Sequence, residues 1–129
     1  MVNLYIHERR EEGVAVLDLK GRIRINGGTL ALHRSIRRLV EEGKTKILLD
    51  LAGVTHIDST GFGELISSWL TLNNKGGQLK LVHLTERLQD IMTITKLLAV
   101  FDVYDNEADA LSSFEGHVLS IVEPQSVFM

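Results

Sequence analysis

The apolar run Ile47-Leu48-Leu49-Asp50-Leu51 reads as a buried strand, and a few residues later comes Asp58-Ser59-Thr60-Gly61-Phe62-Gly63. Phe62, Leu65, Ile66 and Trp69 then have the spacing of one helix face. A buried strand feeding an amphipathic helix points to parallel pairing with crossover helices, which leaves few folds open. It also places Asp58, Ser59 and Thr60 where a strand-to-helix turn becomes a helix N-terminus. Backbone N–H groups are unpaired there and the helix dipole is positive. A hydroxyl in that position can cap the helix, act as a nucleophile or accept a phosphoryl group.

Asp, Ser and Thr all make good N-caps. Capping alone does not account for Gly61 and Gly63, because each glycine inside a helix costs roughly 1 kcal/mol against alanine. Ser59 completes no capping box, since Phe62 stands three residues on, and Thr60 meets Gly63 at the same offset. Two missing side chains suggest close backbone approach, either by a neighbouring strand or by a partner protein. Both remain open at this point.

Along the rest of the chain, Leu4 to His7 and Val14 to Leu19 read as strands, with polar Glu8 to Gly13 as the connection of a hairpin. Gly21 to Gly28 reads as a loop. Leu32, Ile36, Leu39 and Val40 mark a helix face that Gly43 ends. The helix from about Ser59 to Asn73 stops at Asn73-Asn74-Lys75-Gly76-Gly77. Leu79 to His83 is a strand, and Thr85 caps a helix carrying Leu88, Ile91 and Met92. Val100 to Tyr104 is a short strand, and Asn106 opens a last helix with Ala108, Leu111 and Phe114 inward. The order is ββαβαβαβα. It predicts an α/β domain with a mixed, mostly parallel sheet of about five strands and helices packed on it.

The 129 residues suit one domain with a real core. A net charge of −3 gives no basic excess for nucleic acid or an anionic membrane. The chain has no cysteine, which excludes disulfides, thiolate chemistry and cysteine-ligated metals. The start, Met1 to Glu8, lacks a signal-peptide pattern, and the apolar runs are too short to span a bilayer. A cytoplasmic location without membrane insertion is expected.

Other constellations have simpler explanations. Gly43-Lys44-Thr45 imitates the end of a phosphate-binding loop, but Arg38 stands where that motif needs its first glycine. A helix C-cap followed by a solvated Lys44 explains it better. His7, His33, His56, His83 and His117 form no two-histidine helical pair, so no metal site is expected. His56 lies three residues before Ser59 and is a candidate general base. A nucleophile elbow would need glycine two residues before the serine, where Ile57 stands. Asp50 and Asp58 could pair to hold Mg²⁺ or do acid/base work, though a local turn role suits Asp50 better. Arg34, Arg37 and Arg38, with Glu41 and Glu42, read as a solvated helix face. Trp69 at core spacing needs no ligand. No nucleophile-and-base set, metal set or nucleotide loop emerges, so no enzyme activity and no cofactor are expected.

The stretch Asp50-Leu51-Ala52-Gly53-Val54-Thr55-His56-Ile57-Asp58-Ser59-Thr60-Gly61-Phe62-Gly63-Glu64-Leu65 resembles the signature of anti-sigma-factor antagonists, the STAS domain family. That pattern is a strand ending in Asp, a short loop, then Asp-Ser-Ser/Thr-Gly-hydrophobic-Gly. Lys20-Gly21-Arg22-Ile23, Gly76-Gly77-Gln78-Leu79-Lys80-Leu81 and Thr95-Lys96-Leu97-Leu98-Ala99-Val100-Phe101 also fit. The resemblance covers about Leu4 to Phe114. The chain then divides into a STAS-like domain at 1–114 and a C-terminal extension at 115–129, whose Val118, Ile121 and Val122 suit an added strand, a partner-docking segment or a loose tail, with a partly ordered extension expected.

The resemblance implies partner switching. The unmodified antagonist binds an anti-sigma factor serine kinase and frees the sigma factor. The kinase phosphorylates the antagonist with ATP, and a PP2C-type phosphatase reverses this. By motif position the acceptor is Ser59. Asp58, Thr60, Gly61 and Phe62 would border the docking surface, with Gly21 and Arg22 from the loop after the second strand. Family members often carry Asp shortly after that glycine, where this chain has Arg24 and Ile25. A homodimer is left open. The alternative is an unphosphorylated STAS scaffold subunit in a lipid-transport or stress-signalling complex.

Overall fold

The computed structural model describes residues 4–114, and the expected extension at 115–129 lies outside them. The elements run β1 (Leu4–Glu11), β2 (Val14–Ile23), α1 (Gly28–Glu41), β3 (Lys46–Ile57), α2 (Ser59–Asn74), β4 (Gln78–Val82), α3 (Glu86–Ile94), a 3₁₀ turn (Leu97–Ala99), β5 (Asp102–Tyr104) and α4 (Glu107–Ser112). The five strands form one sheet in the order β1-β2-β3-β4-β5. β1 is antiparallel to β2, and the remaining pairs are parallel. The ββαβαβαβα order and the mixed sheet are those expected from the sequence.

The period-2 alternation of a strand explains why β2 and β3 are apolar on both faces. Ala15, Leu17, Leu19, Ile47, Leu49 and Leu51 belong to the larger core, with Leu32 and Ile36 of α1, Leu65 and Leu72 of α2, and Leu88 and Met92 of α3. Val14, Val16 and Leu48, of the opposite parity, pack with Val82 and with Ala110, Leu111 and Phe114 in and just after α4. Among the described residues, no helix is long and apolar enough to cross a membrane.

Four element boundaries differ from the sequence expectation. β1 continues through Glu11, so the hairpin turn is only Glu12-Gly13, both with positive φ (53° and 82°). This is the two-residue turn whose twist matches paired strands. Gly21 and Arg22 are not in a loop: β2 extends to Ile23 and pairs Gly21 with Val54 and Arg22 with His56. β3 runs past Leu51 to Ile57. Two register shifts against β2 let the Gly53 region stay paired, and a Cβ on Gly53 would lie 2.8 Å from the Leu19 carbonyl oxygen. β5 begins only at Asp102, because Val100 closes the 3₁₀ turn through its N–H bond to Leu97 O.

β3 also outruns β4. Pairing between them stops at Asp50 with Val82, whereas β2 follows β3 to Ile57. The end of β3 leading into α2 is therefore a ribbon with β2.

Candidate functional site

Asp58 is the N-cap of α2, with extended backbone (φ −103°, ψ −176°). Its Oδ1 accepts from the Gly61 N–H at 3.0 Å and from the Thr60 hydroxyl. Its Oδ2 accepts from the Ile25 N–H at 3.0 Å, and its own N–H donates to Ile23 O at 3.2 Å. The Thr60 hydroxyl also lies 2.9 Å from the Thr29 hydroxyl of α1. The Thr60 hydroxyl bond, then the amide bonds from Gly61 and Ile25, hold the Asp58 carboxyl below its ordinary pKa. It is a carboxylate at neutral pH.

Ser59 is the first residue of α2 and is exposed. Its neighbours on both sides are engaged, while its own hydroxyl has no hydrogen-bond partner among the described residues. An uncommitted hydroxyl at the positive end of a sixteen-residue helix is free to react.

The two glycines separate cleanly. A Cβ on Gly61 would lie 2.7 Å from both the Ile23 carbonyl oxygen and Ile57 Cγ1, so the close approach there is by the neighbouring strand. A Cβ on Gly63 would meet nothing within 4 Å. Phe62 is half-buried and packs against the larger core. Gly21 stands behind the site in β2, its carbonyl accepting from the Thr55 hydroxyl at 3.2 Å. Arg22 is exposed opposite His56.

His56 faces away from a base role: its Nδ1 lies 3.0 Å from the Thr55 hydroxyl and makes no bond to Ser59. Burial, then Arg24, Arg87 and Arg22, lower its pKa. Asp50 and Asp58 do not form a pair either. Asp50 Oδ1 accepts from the Ala52 N–H at 3.0 Å and Oδ2 lies 3.1 Å from His83 Nδ1. Among the described residues, no group of three or more His, Asp or Glu side chains is placed to hold a metal ion. Gly43 follows the C-cap of α1 with φ 79°, the usual helix stop, and Lys44 beyond it is not simply solvated but pairs with Glu42 at 3.0 Å. Arg38 pairs with Glu42 four residues on, at 3.2 Å, as the helix-face spacing predicts.

Several residues at the site escape the sequence pattern. Ile25 is 67% exposed and its backbone is held by Asp58. Thr29 is bound to Thr60, and His33 Nδ1 lies 3.0 Å from Glu64 Oε1, which also ties α1 to α2. An isoleucine stranded between arginine and asparagine was the one available signal, since buried apolar residues rarely occur there without a helix or strand period. Among the described residues, one groove of about 360 Å³ is lined by His83, Thr85, Gln89, Tyr104 and others, without Ser59.

A model of the STAS domain family matches residues 5–110. The chain is 23% identical over 114 residues to the anti-sigma F factor antagonist of Paenibacillus polymyxa, covering 88% of this chain and 97% of that one. It is 28% identical over 102 residues to the anti-sigma-B factor antagonist of Bacillus subtilis (strain 168), covering 79% and 92%. The Bacillus protein SpoIIAA in its phosphorylated form has the same fold, with a TM-score of 0.65 at 15% identity over 84% of this chain and 97% of that one. Its unphosphorylated form also matches at a TM-score of 0.65, over 83% and 94%.

Proposed function

This chain belongs to the STAS domain family, and we propose that it is an anti-sigma-factor antagonist that works by exchanging partners. It binds an anti-sigma serine kinase while Ser59 is unmodified. The kinase transfers the γ-phosphoryl group of ATP to the Ser59 oxygen, the hydroxyl proton leaves, ADP is released, and the complex breaks. A PP2C-type phosphatase restores the hydroxyl. The chain itself is a regulator without catalytic chemistry, and its STAS-like domain takes up residues 1–114.

The observation that carries this is the contrast within Asp58-Ser59-Thr60. Asp58 and Thr60 are bound into the cap, and Ser59 alone presents a free, exposed hydroxyl. A capping serine would have its oxygen occupied by a backbone N–H, and a hydrolytic serine would have a base against it. The named relatives act on anti-sigma factors, which favours the same class of partner here.

The test begins with native co-purification and intact-mass measurement of the bound protein. Calorimetry then compares the unmodified and Ser59-phosphorylated chains against that kinase. A docked interface excludes water, and an unpaired buried phosphate there costs several kcal/mol. The expected loss is at least about a hundredfold in affinity. Equal affinities would refute the switch and leave a scaffold role.

A further inference from the structure

The sheet ends at β5, and one side of that strand is unpaired among the described residues. β5 runs parallel to β4, with Asp102 beside Lys80, Val103 beside Leu81 and Tyr104 beside Val82. Tyr104 O accepts the His83 N–H at 3.2 Å, so Tyr104 turns its main-chain groups towards β4. Successive residues of a strand turn these groups to opposite sides. Val103 therefore points its N–H and C=O outward, at the free edge. An edge with such unpaired groups is a template for another extended chain.

A trench runs along this edge. Two grooves, of about 360 and 410 Å³, share Gln89 of α3 with Val103, Tyr104 and Asp105. Leu98 of the 3₁₀ turn and Asp102 line the larger one. The two faces of β5 give the trench two chemistries. Val103 packs, like Leu98, against the larger core. Tyr104 packs on the other face, against the cluster under α4. Asp102 shares that face: its carboxylate lies 3.8 Å from the Nζ of Lys80, which is 5.6 Å from the centre of the Tyr104 ring. Lys80 is buried and donates at 2.9 Å to both the O and the Oγ of Ser113, so it does not use up Asp102, whose side chain is 63% exposed. Asp105 is exposed as well. Neither groove is lined by a lysine or arginine, and His83, the one basic side chain there, has its Nδ1 3.1 Å from Asp50.

An added strand alternates its side chains between the same two faces. Apolar residues would enter beside Leu98 and Val103, and basic residues would meet Asp102. Residues 115–129 of this chain bring no lysine or arginine. A parallel strand reached through α4 would also close a crossover of the wrong hand, because α1, α2 and α3 lie on the larger-core face and α4 on the other. The fitting occupant is a separate chain.

We infer that the free edge of β5 docks an extended segment of a partner protein in which apolar and basic residues alternate. The added strand pairs with the Val103 N–H and C=O, and its side chains sort between Leu98 and Asp102. This surface goes beyond the Ser59 site, since no residue from Asp58 to Gly63 lines the trench. The chain can then hold a second partner while the Ser59 face exchanges its own.

The test is an NMR titration of the full ¹⁵N-labelled chain with a blocked pentapeptide of alternating lysine and valine, and in parallel with its glutamate and valine counterpart. With the lysine peptide, shifts at Gln89, Leu98 and residues 102–105 are expected, together with slowed exchange of the Val103 amide. Shifts elsewhere, none at all, or equal binding of the glutamate peptide would overturn the inference. So would a Val103 amide already protected in the free chain, since the edge would then be filled by the chain itself. Asp102→Asn/Asp105→Asn should bind the lysine peptide at least about fivefold more weakly at low salt, the difference shrinking as salt rises. Val103→Pro removes the outward donor where an edge strand tolerates proline, and should lose at least about tenfold. Thermal melts report folding of both variants. Unchanged affinity in either folded variant overturns the inference. Phosphorylation of Ser59 should leave peptide affinity unchanged, whatever it does to the kinase, and a loss of peptide binding on phosphorylation would overturn the separation of the two surfaces.

Discussion

Asp58 holds Ile25: the carboxylate that caps α2 accepts the Ile25 N–H at 3.0 Å across a gap of 33 residues. One side chain therefore starts a helix and fixes the loop beside it. The apolar surface at Ile25 and the hydroxyl at Ser59 are positioned by the same group.

Asp58→Ala should destabilise the fold by about 1–2 kcal/mol, the usual worth of a cap, and should loosen the segment around Ile25. Urea unfolding measures the first and amide exchange at Ile25 the second. Asp58→Asn should keep most of the cap. The charge has a pH signature, because the folded-state pKa is lowered, first by the Thr60 hydroxyl. Its contribution is complete above an ordinary carboxylate value of about 4 and is lost as pH falls through the lower folded value. Asp58→Asn should remove that component of the acid slope.

Ser59→Ala should keep partner binding and abolish phosphorylation, read by intact mass after incubation with kinase and ATP. Ser59→Asp and Ser59→Glu should weaken binding, though less than phosphate, since each brings one charge against about 1.5–2. Thermal melts of all forms should stay close together. The helix terminus favours added negative charge by roughly 0.3–1 kcal/mol, and repulsion from Asp58 in an exposed setting is of about the same size.

Gly61→Ala and Gly63→Ala should have opposite effects. At Gly61 the new methyl meets Ile23 O and Ile57 Cγ1 at 2.7 Å, so a loss of about 1–3 kcal/mol is expected. At Gly63 the methyl enters open space within a helix, and a gain of about 0.5–1 kcal/mol is expected. If a partner's backbone approaches there, Gly63→Ala will also lower affinity despite the better fold. Equal stability changes at the two positions would contradict the packing described.

Arg9 ties α4 to the hairpin through Asp18 and Glu107. Hydrogen bonds from Arg9 are the first cause of the lowered pKa of both carboxyls. Their stabilising effect is therefore present above their ordinary values of about 4 and is lost as pH falls through the lower folded ones. Arg9→Met should flatten stability against pH in the window below about 4, followed by circular dichroism. An unchanged slope would show that the network does not act on folding.

Element types were legible because helix and strand periods differ and the breakers are strong. Asn73-Asn74-Lys75-Gly76-Gly77 stops α2 where the composition says it should, with the helix ending at Asn74. Three of the four misplaced boundaries share one cause, that long-range pairing overrides local composition, whereas β5 starts late because a local 3₁₀ turn takes up Val100. Glu8–Glu11 looks like a turn, yet Arg9 and Glu8 are strand residues whose charges are answered by Asp18, Glu107 and Arg38. Gly21 and Gly53 look like breakers, yet both are paired between β2 and β3 with register shifts that no single segment announces. At the site, Asp58 and Ser59 were visible from their place before a helix face. The parts of Thr29 and Ile25 were not, because only the folded chain brings them to Thr60 and Asp58.

The ribbon formed by the ends of β2 and β3 is paired on one side only beyond the last β4 partner, which lowers the cost of opening it locally. Ile47 to Leu49 are paired on both sides, whereas Gly53 to Ile57 are paired with β2 and lie beyond the last β4 partner. Opening the ribbon breaks few bonds, so amides 53–57 should exchange through local fluctuations while amides 47–49 wait for global unfolding. A pull applied at Ser59 therefore meets a singly paired ribbon first, and only behind it the stretch of β3 that is held from both sides.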